Sequence, residues 1–152
     1  MTVTDVTPES IDGSVDAEAA RTWIFAVHQW IRRQPSGTQL VGEVRMPGPG
    51  WNYYGVRVQL SSDSTLRLLL NAAIGLVAAS EHENVPEFGP LRFRVVPSPE
   101  VFEAHGLRVA SATQLAAEIS EADLHALPES RRKDVLYHGP TTVGDLLFNW
   151  FD

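Results

Sequence analysis

The sequence contains no cysteine, which excludes a disulfide framework, a thiolate metal site and a thiol nucleophile together. Lysine is almost absent, with Lys133 standing beside eleven arginines, and the acidic residues outnumber both to give a formal charge of −7. A chain of that sign is not expected to bind nucleic acid directly. Long apolar runs are missing as well. The best of them, residues 68–79, is interrupted by Asn71 and falls short of the roughly 20 residues of a helical membrane span. The opening stretch MTVTDVTPESIDGSVDAE lacks the basic start and apolar centre of a signal peptide. The expectation is therefore a cytoplasmic protein with no membrane association.

Signatures of chemistry are missing in the same way. There is no GxxxxGK[ST] loop, and Gly48-Pro49-Gly50-Trp51-Asn52-Tyr53 lacks the third glycine of a dinucleotide loop and precedes a strand instead of a helix. No GxSxG elbow occurs. The five histidines, His28, His82, His105, His125 and His138, show no HxH or HExxH spacing. The trio Glu81-His82-Glu83 is explained by an exposed polar loop. No catalytic set, metal site or cofactor is predicted.

What remains is ordinary globular composition, 43% hydrophobic and 20% charged, on a chain long enough for one core. Residues 1–13 read as a flexible acidic tail and residues 14–152 as a single α+β domain. Ser14 or Asp16 caps an amphipathic helix whose apolar positions Ala20, Trp23, Ile24, Val27 and Ile31 follow helical spacing, and Pro35 ends it. Residues 40–46 and 53–60 alternate as strands and pair as a hairpin around the Pro47 to Gly50 turn. A third strand spans residues 91–96.

The stretch at residues 65–80, TLRLLLNAAIGLVAAS, carries only Arg67 as a charge and must be buried. Its length, its leucine and alanine content and a cap at Asp63 or Ser64 predict a central core helix. Alternation of Leu66, Leu68 and Leu70 with their neighbours leaves a strand as the alternative for its first half. Residues 129–134 read as an exposed charged loop. A C-terminal helix is capped by Thr142, with Val143, Leu146, Leu147, Trp150 and Phe151 on one stripe. The predicted fold is thus a small, mainly antiparallel sheet packed against an N-terminal amphipathic helix, a buried central helix and a C-terminal helix.

The surface candidates follow from residue chemistry. Trp51, Tyr53 and Trp150 belong to the types enriched at binding hot spots, and Arg131 and Arg132 form the one basic run, so these five are the interface candidates. His138, Thr141 and Thr142 precede the last helix, where free N–H groups favour an anion. His28, at the edge of the first helix's stripe, joins them as a ligand candidate. Arg57, Arg92 and Arg94 fall on the outward side of their strands.

These features predict a protein-binding module, an adaptor or an inhibitor of the immunity-protein kind, with a protein partner. The alternative is a small-ligand binder or enzyme with a pocket between sheet and helices. A structural subunit of a larger assembly is a third possibility.

Overall fold

The computed structural model describes residues 6–82 and 89–151. They form an α+β domain in which a six-stranded sheet is covered on both faces. The helices are α1 (Pro8–Asp12), α2 (Ala17–Arg32), α3 (Glu100–Glu103), α4 (Ala112–Leu115), α5 (Glu121–His125), α6 (Glu129–His138) and α7 (Val143–Leu147). The strands are β1 (Gln39–Arg45), β2 (Tyr54–Gln59), β3 (Thr65–Asn71), β4 (Leu76–Glu81), β5 (Phe93–Arg94) and β6 (Arg108–Val109).

Strands β1 to β5 lie in sequence order and pair antiparallel. The outer edge of β4 is divided, since Ala79 and Ser80 pair with β5 while Leu76 and Val77 pair parallel with β6. Helix α3 lies in the connection between β5 and β6.

One sheet face carries Tyr54, Val56, Val58, Leu66, Leu68, Leu70, Val77 and Ala79, and packs on α2 and α3. Helix α2 forms where its spacing predicts, with Asp16 accepting from the backbone N–H groups of Glu18 and Ala19. Trp23, Ala26, Val27 and Trp30 are its most buried residues, and the Trp30 indole N–H donates to the Pro97 carbonyl at 2.5 Å. The opposite face carries Tyr53, Leu69, Leu76 and Ala78 and packs on α1, α4, α6 and α7 through Ile11, Leu115, Val135, Val143, Leu146 and Leu147.

This second cover corrects the predicted central helix. Residues 65–80 are a hairpin, with Leu69 facing Ala78 and Asn71 facing Leu76. A strand buried on both faces loses the polar half of its alternation and reads as one apolar run. The turn holds four residues between Asn71 and Leu76. Asn71 closes it by accepting from the Ala73 N–H, and Gly75 adopts φ +62°, a conformation that side-chain-bearing residues avoid.

The part of the leader within the described residues is ordered. Thr7 and Ser10 form a reciprocal cap on α1, and Val6, Ser10 and Ile11 are buried. What holds α1 is a set of buried amides. Asn52 donates to the carbonyls of Ser10, Ile11 and Leu147, and Asn71 donates to those of Ser10 and Leu147. Asn149 donates to Ile11 and Leu146, while its backbone N–H reaches Asn52 Oδ1 at 2.9 Å. Amides from three separate segments thus satisfy carbonyls that a buried helix end would otherwise leave unpaired.

Two further boundaries differ from expectation. Residues 129–134 belong to α6, begun by Pro128 and ended by Gly139 in the left-handed region. Helix α7 ends at Leu147, so Trp150 and Phe151 lie past its end.

Candidate anion-binding site

The helices on the second face do not cover the whole sheet. Around Gly55 the uncovered strands form a cavity of about 140 Å³ lined by Glu43, Arg45, Tyr53, Gly55, Val56, Arg57, Arg67 and His82. Its floor follows from register. Gly55 lies opposite Arg45 on β1 and Leu69 on β3, and Arg57 lies directly opposite Arg67. Like charges facing one another across an antiparallel pair destabilise a sheet, so their persistence here sets this row apart.

Each guanidinium is held by something specific. Arg45 lies over the Trp51 ring, 3.6 Å from its centroid, and the Trp51 indole N–H donates to the Met46 carbonyl. Arg57 lies over Gly42, where an added Cβ would stand 2.7 Å from the guanidinium nitrogen. Gly42 has φ +74° at the irregularity in the β1–β2 pairing, so the bulge makes the space that Arg57 occupies. Arg67 contacts His82 Nδ1 at 3.0 Å and lies beside the Tyr53 phenol.

Arg67 is partly withdrawn from water, whereas Arg57 opposite it is exposed. Burial lowers the Arg67 proton affinity below the usual arginine value; Tyr53 opposes this and the charges of Arg45 and Arg57 add to it. Tyr53 is pushed the other way by its own burial, with Arg67 and Arg45 offsetting part of the rise. One Arg67 nitrogen is buried without a hydrogen-bond partner, and so is the Ser80 hydroxyl, which belongs to the residue opposite Arg67 on β4. Among the described residues no carboxylate forms an ion pair with Arg57 or Arg67. Among the described residues Glu43 is the one acidic side chain in the lining. Among the described residues the lining holds more guanidinium than carboxylate groups, and the Arg57 and Arg67 pair is suited to binding an oxyanion.

The candidates read from sequence are dispersed. Arg57 reaches the cavity, whereas Arg92 and Arg94 pair with Glu81 at 3.8 and 2.7 Å. His28 is exposed on α2, far from the role of a half-buried ligand group, because the buried stripe is centred on Trp23, Val27 and Trp30. The anion position at Thr141 and Thr142 is filled from within. The Asp145 carboxylate accepts from both backbone N–H groups, and α7 is only five residues long. His138 is exposed and stacks on Phe151 at 4.9 Å.

Tyr53 is 3% exposed and packs edge-on against Phe148, so it belongs to the core more than to a surface. Trp51 is half-buried as the platform for Arg45, and Trp150 is half-buried against Phe151. Arg131 pairs with Asp12 at 2.5 Å and with Asp134, while Arg132 is half-buried on α6. Glu83 of the Glu81-His82-Glu83 trio lies outside the described residues.

Arg45, Arg67, Gly42 and Gly55 were missed from sequence. A glycine inside a strand pattern marks a bulge or a close approach, and Gly42 and Gly55 were the available signal. No family model, curated protein or solved structure matches this chain.

Proposed function

We propose that this protein binds a compact anionic ligand in the sheet-face cavity, the small-ligand alternative among the functions read from sequence. The observation that carries this reading is the directly opposed Arg57 and Arg67 pair, neither in an ion pair among the described residues, with one Arg67 nitrogen buried and unsatisfied. Such an arrangement is costly when empty and relieved when an oxyanion enters. A cavity of this volume lies below the range that encloses drug-sized molecules, so the ligand is small or presents only its charged end.

Calorimetric titration at low ionic strength with small carboxylates and phosphates tests the reading. Saturable binding to the wild type that is lost in Arg67→Gln, with the far-ultraviolet spectrum unchanged, is the expected result. Equal heats for the two proteins would reject it.

The protein-binding module remains a second reading, favoured by α6. Leu136 and Tyr137 are 74% and 85% exposed. Leu136 borders an open groove of about 580 Å³ that also takes in Ile119, Leu124 and Val135. A stoichiometric partner that co-purifies with the wild type and is lost on Leu136→Lys would support it. Retention of that partner by the variant would count against this surface.

A further inference from the structure

We infer that α1 is a releasable clasp, a unit that leaves its berth and returns while the sheet and α2 stay folded. This does not depend on the anion-binding reading. It follows from how the berth amides are shared. Asn52 and Asn71 donate to carbonyls of α1, but each also donates to the Leu147 carbonyl, at 3.2 and 2.8 Å. Asn149 donates to Ile11 and also to the Leu146 carbonyl at 3.0 Å. Each of the three side chains therefore keeps an acceptor when α1 departs. The Asn149 backbone N–H keeps Asn52 Oδ1 as well. The carbonyls of Ser10 and Ile11 pass to water with the helix, and the amide hydrogens they release face the space that water then fills.

The clasp is complete in itself. Thr7 and Ser10 cap it reciprocally, and the N–H groups of Ile11 and Gly13 donate to the carbonyls of Thr7 and Glu9. Its apolar hold is slight beside that of α2. Among the described residues in and before α1, Val6 and Ile11 are the buried hydrophobic side chains, whereas α2 buries Ala20, Trp23, Ala26, Val27 and Trp30. The Arg131 to Asp12 ion pair adds little, because its side chains are 35% and 42% exposed.

The hinge lies directly after the clasp. Gly13 has φ +72°, and a Cβ there would overlap the Asn52 carbonyl oxygen, so closure sets the Gly13 backbone against Asn52 in a contact that glycine permits. Ser14 is half-buried and Val15 and Asp16 are exposed, which leaves the link to α2 free to move. A helix of five residues is not stable alone in water, so α1 melts once it leaves and its N–H groups exchange.

Native-state hydrogen exchange on the whole chain, followed at urea concentrations below the unfolding transition, tests the clasp. Protection at Ile11 and Gly13 is expected to be at least tenfold lower than at Leu68 in the centre of the sheet, and nearly independent of urea, because release of α1 exposes little surface. Equal protection at the three amides with equally steep urea dependence would mean that α1 opens only when the domain unfolds, and would overturn the inference.

Substitution supplies a second readout. Ile11→Asp should release α1 and leave a cooperative urea transition at a lower midpoint. Gly13→Ala should lower the midpoint of the wild type and leave that of Ile11→Asp unchanged, since a released clasp no longer meets Asn52. Loss of the cooperative transition in Ile11→Asp, or a further fall when Gly13→Ala is added to it, would overturn the clasp.

Discussion

Replacing Asn52 by alanine tests the amide set that fastens α1, and the outcome can be worked out atom by atom. Asn52 is fully buried, and its amide donates to the carbonyls of Ser10, Ile11 and Leu147 at 3.2, 2.9 and 3.2 Å. Each carbonyl has a second donor. Asn71 reaches Ser10 and Leu147 at 2.7 and 2.8 Å, and Asn149 reaches Ile11 at 2.8 Å. Truncation therefore orphans none of them. What it does orphan is the buried Asn149 N–H, which donates to Asn52 Oδ1. An unsatisfied buried donor costs about 1–3 kcal/mol, and the lost bonds and packing bring the total to about 2–4 kcal/mol. Against a typical stability of roughly 5–15 kcal/mol, this is a visible fraction. At a few degrees per kcal/mol for a domain of this size, the melting temperature should fall by about 10 °C.

Asn71→Ala is the internal control. Among the described residues its side-chain oxygen accepts only from the half-buried Ala73 N–H, so its loss leaves no fully buried orphan there and should cost about 1 kcal/mol. Urea titrations of both variants with a common slope decide the matter. An Asn71→Ala loss equal to or larger than that of Asn52→Ala would show that the orphaned N–H is not what matters.

Three further outcomes are expected. Leu69→Asp places an unpaired carboxylate at a fully buried position of β3, at a cost of several kcal/mol, and should abolish the cooperative unfolding transition; a soluble, cooperatively folded variant would contradict the second-face core. Thr142→Ala removes half of the reciprocal cap on α7 and should cost about 1 kcal/mol, read as a lower urea midpoint, since Asp145 still serves the two preceding N–H groups. Tyr53 has its phenol pushed up by burial, so the folded state holds that proton more tightly than the unfolded state does. Its contribution is complete below the unfolded value near 10 and drains away as pH rises past it, so urea midpoints should decline from pH 9 to pH 11, and a flat profile would contradict the buried phenol.

The elements legible in the sequence are those with one wet face. Helix α2 has a dry stripe and a polar back, and the β1–β2 pair has turn residues between alternating strands, so periodicity and punctuation located both. The β3–β4 hairpin defeated the same reasoning because its environment is dry on both sides, and its turn contains Ala72, Ala73 and Ile74 in place of polar residues. Composition there reports burial and not backbone shape. Helix α1 was invisible for another reason. Its fastening partners are main-chain carbonyls met by asparagines distant in sequence, and a carbonyl has no letter in a sequence. The cavity required register: that Arg57 faces Arg67 depends on how β2 pairs with β3, which no residue type specifies. The cap at Thr142 was legible, but its consequence for the adjacent anion site was not, because Asp145 serves both.

The amide set also orders events in time. Asn149 and Ile11 are 138 positions apart, so the berth of α1, which Asn52 and Asn71 supply in part, is not complete until residues 146–149 have been synthesised and folded back. The entropy of closing so long a loop rises only slowly with its length, so the delay is one of availability more than of free energy. A chain emerging from the ribosome can assemble α2 on the β1–β4 meander before the part of the α1 berth supplied by residues 146–149 exists. A chain truncated before residue 146 would then show weaker amide protection than the whole protein at Ile11 and Gly13, whose N–H groups bond within α1.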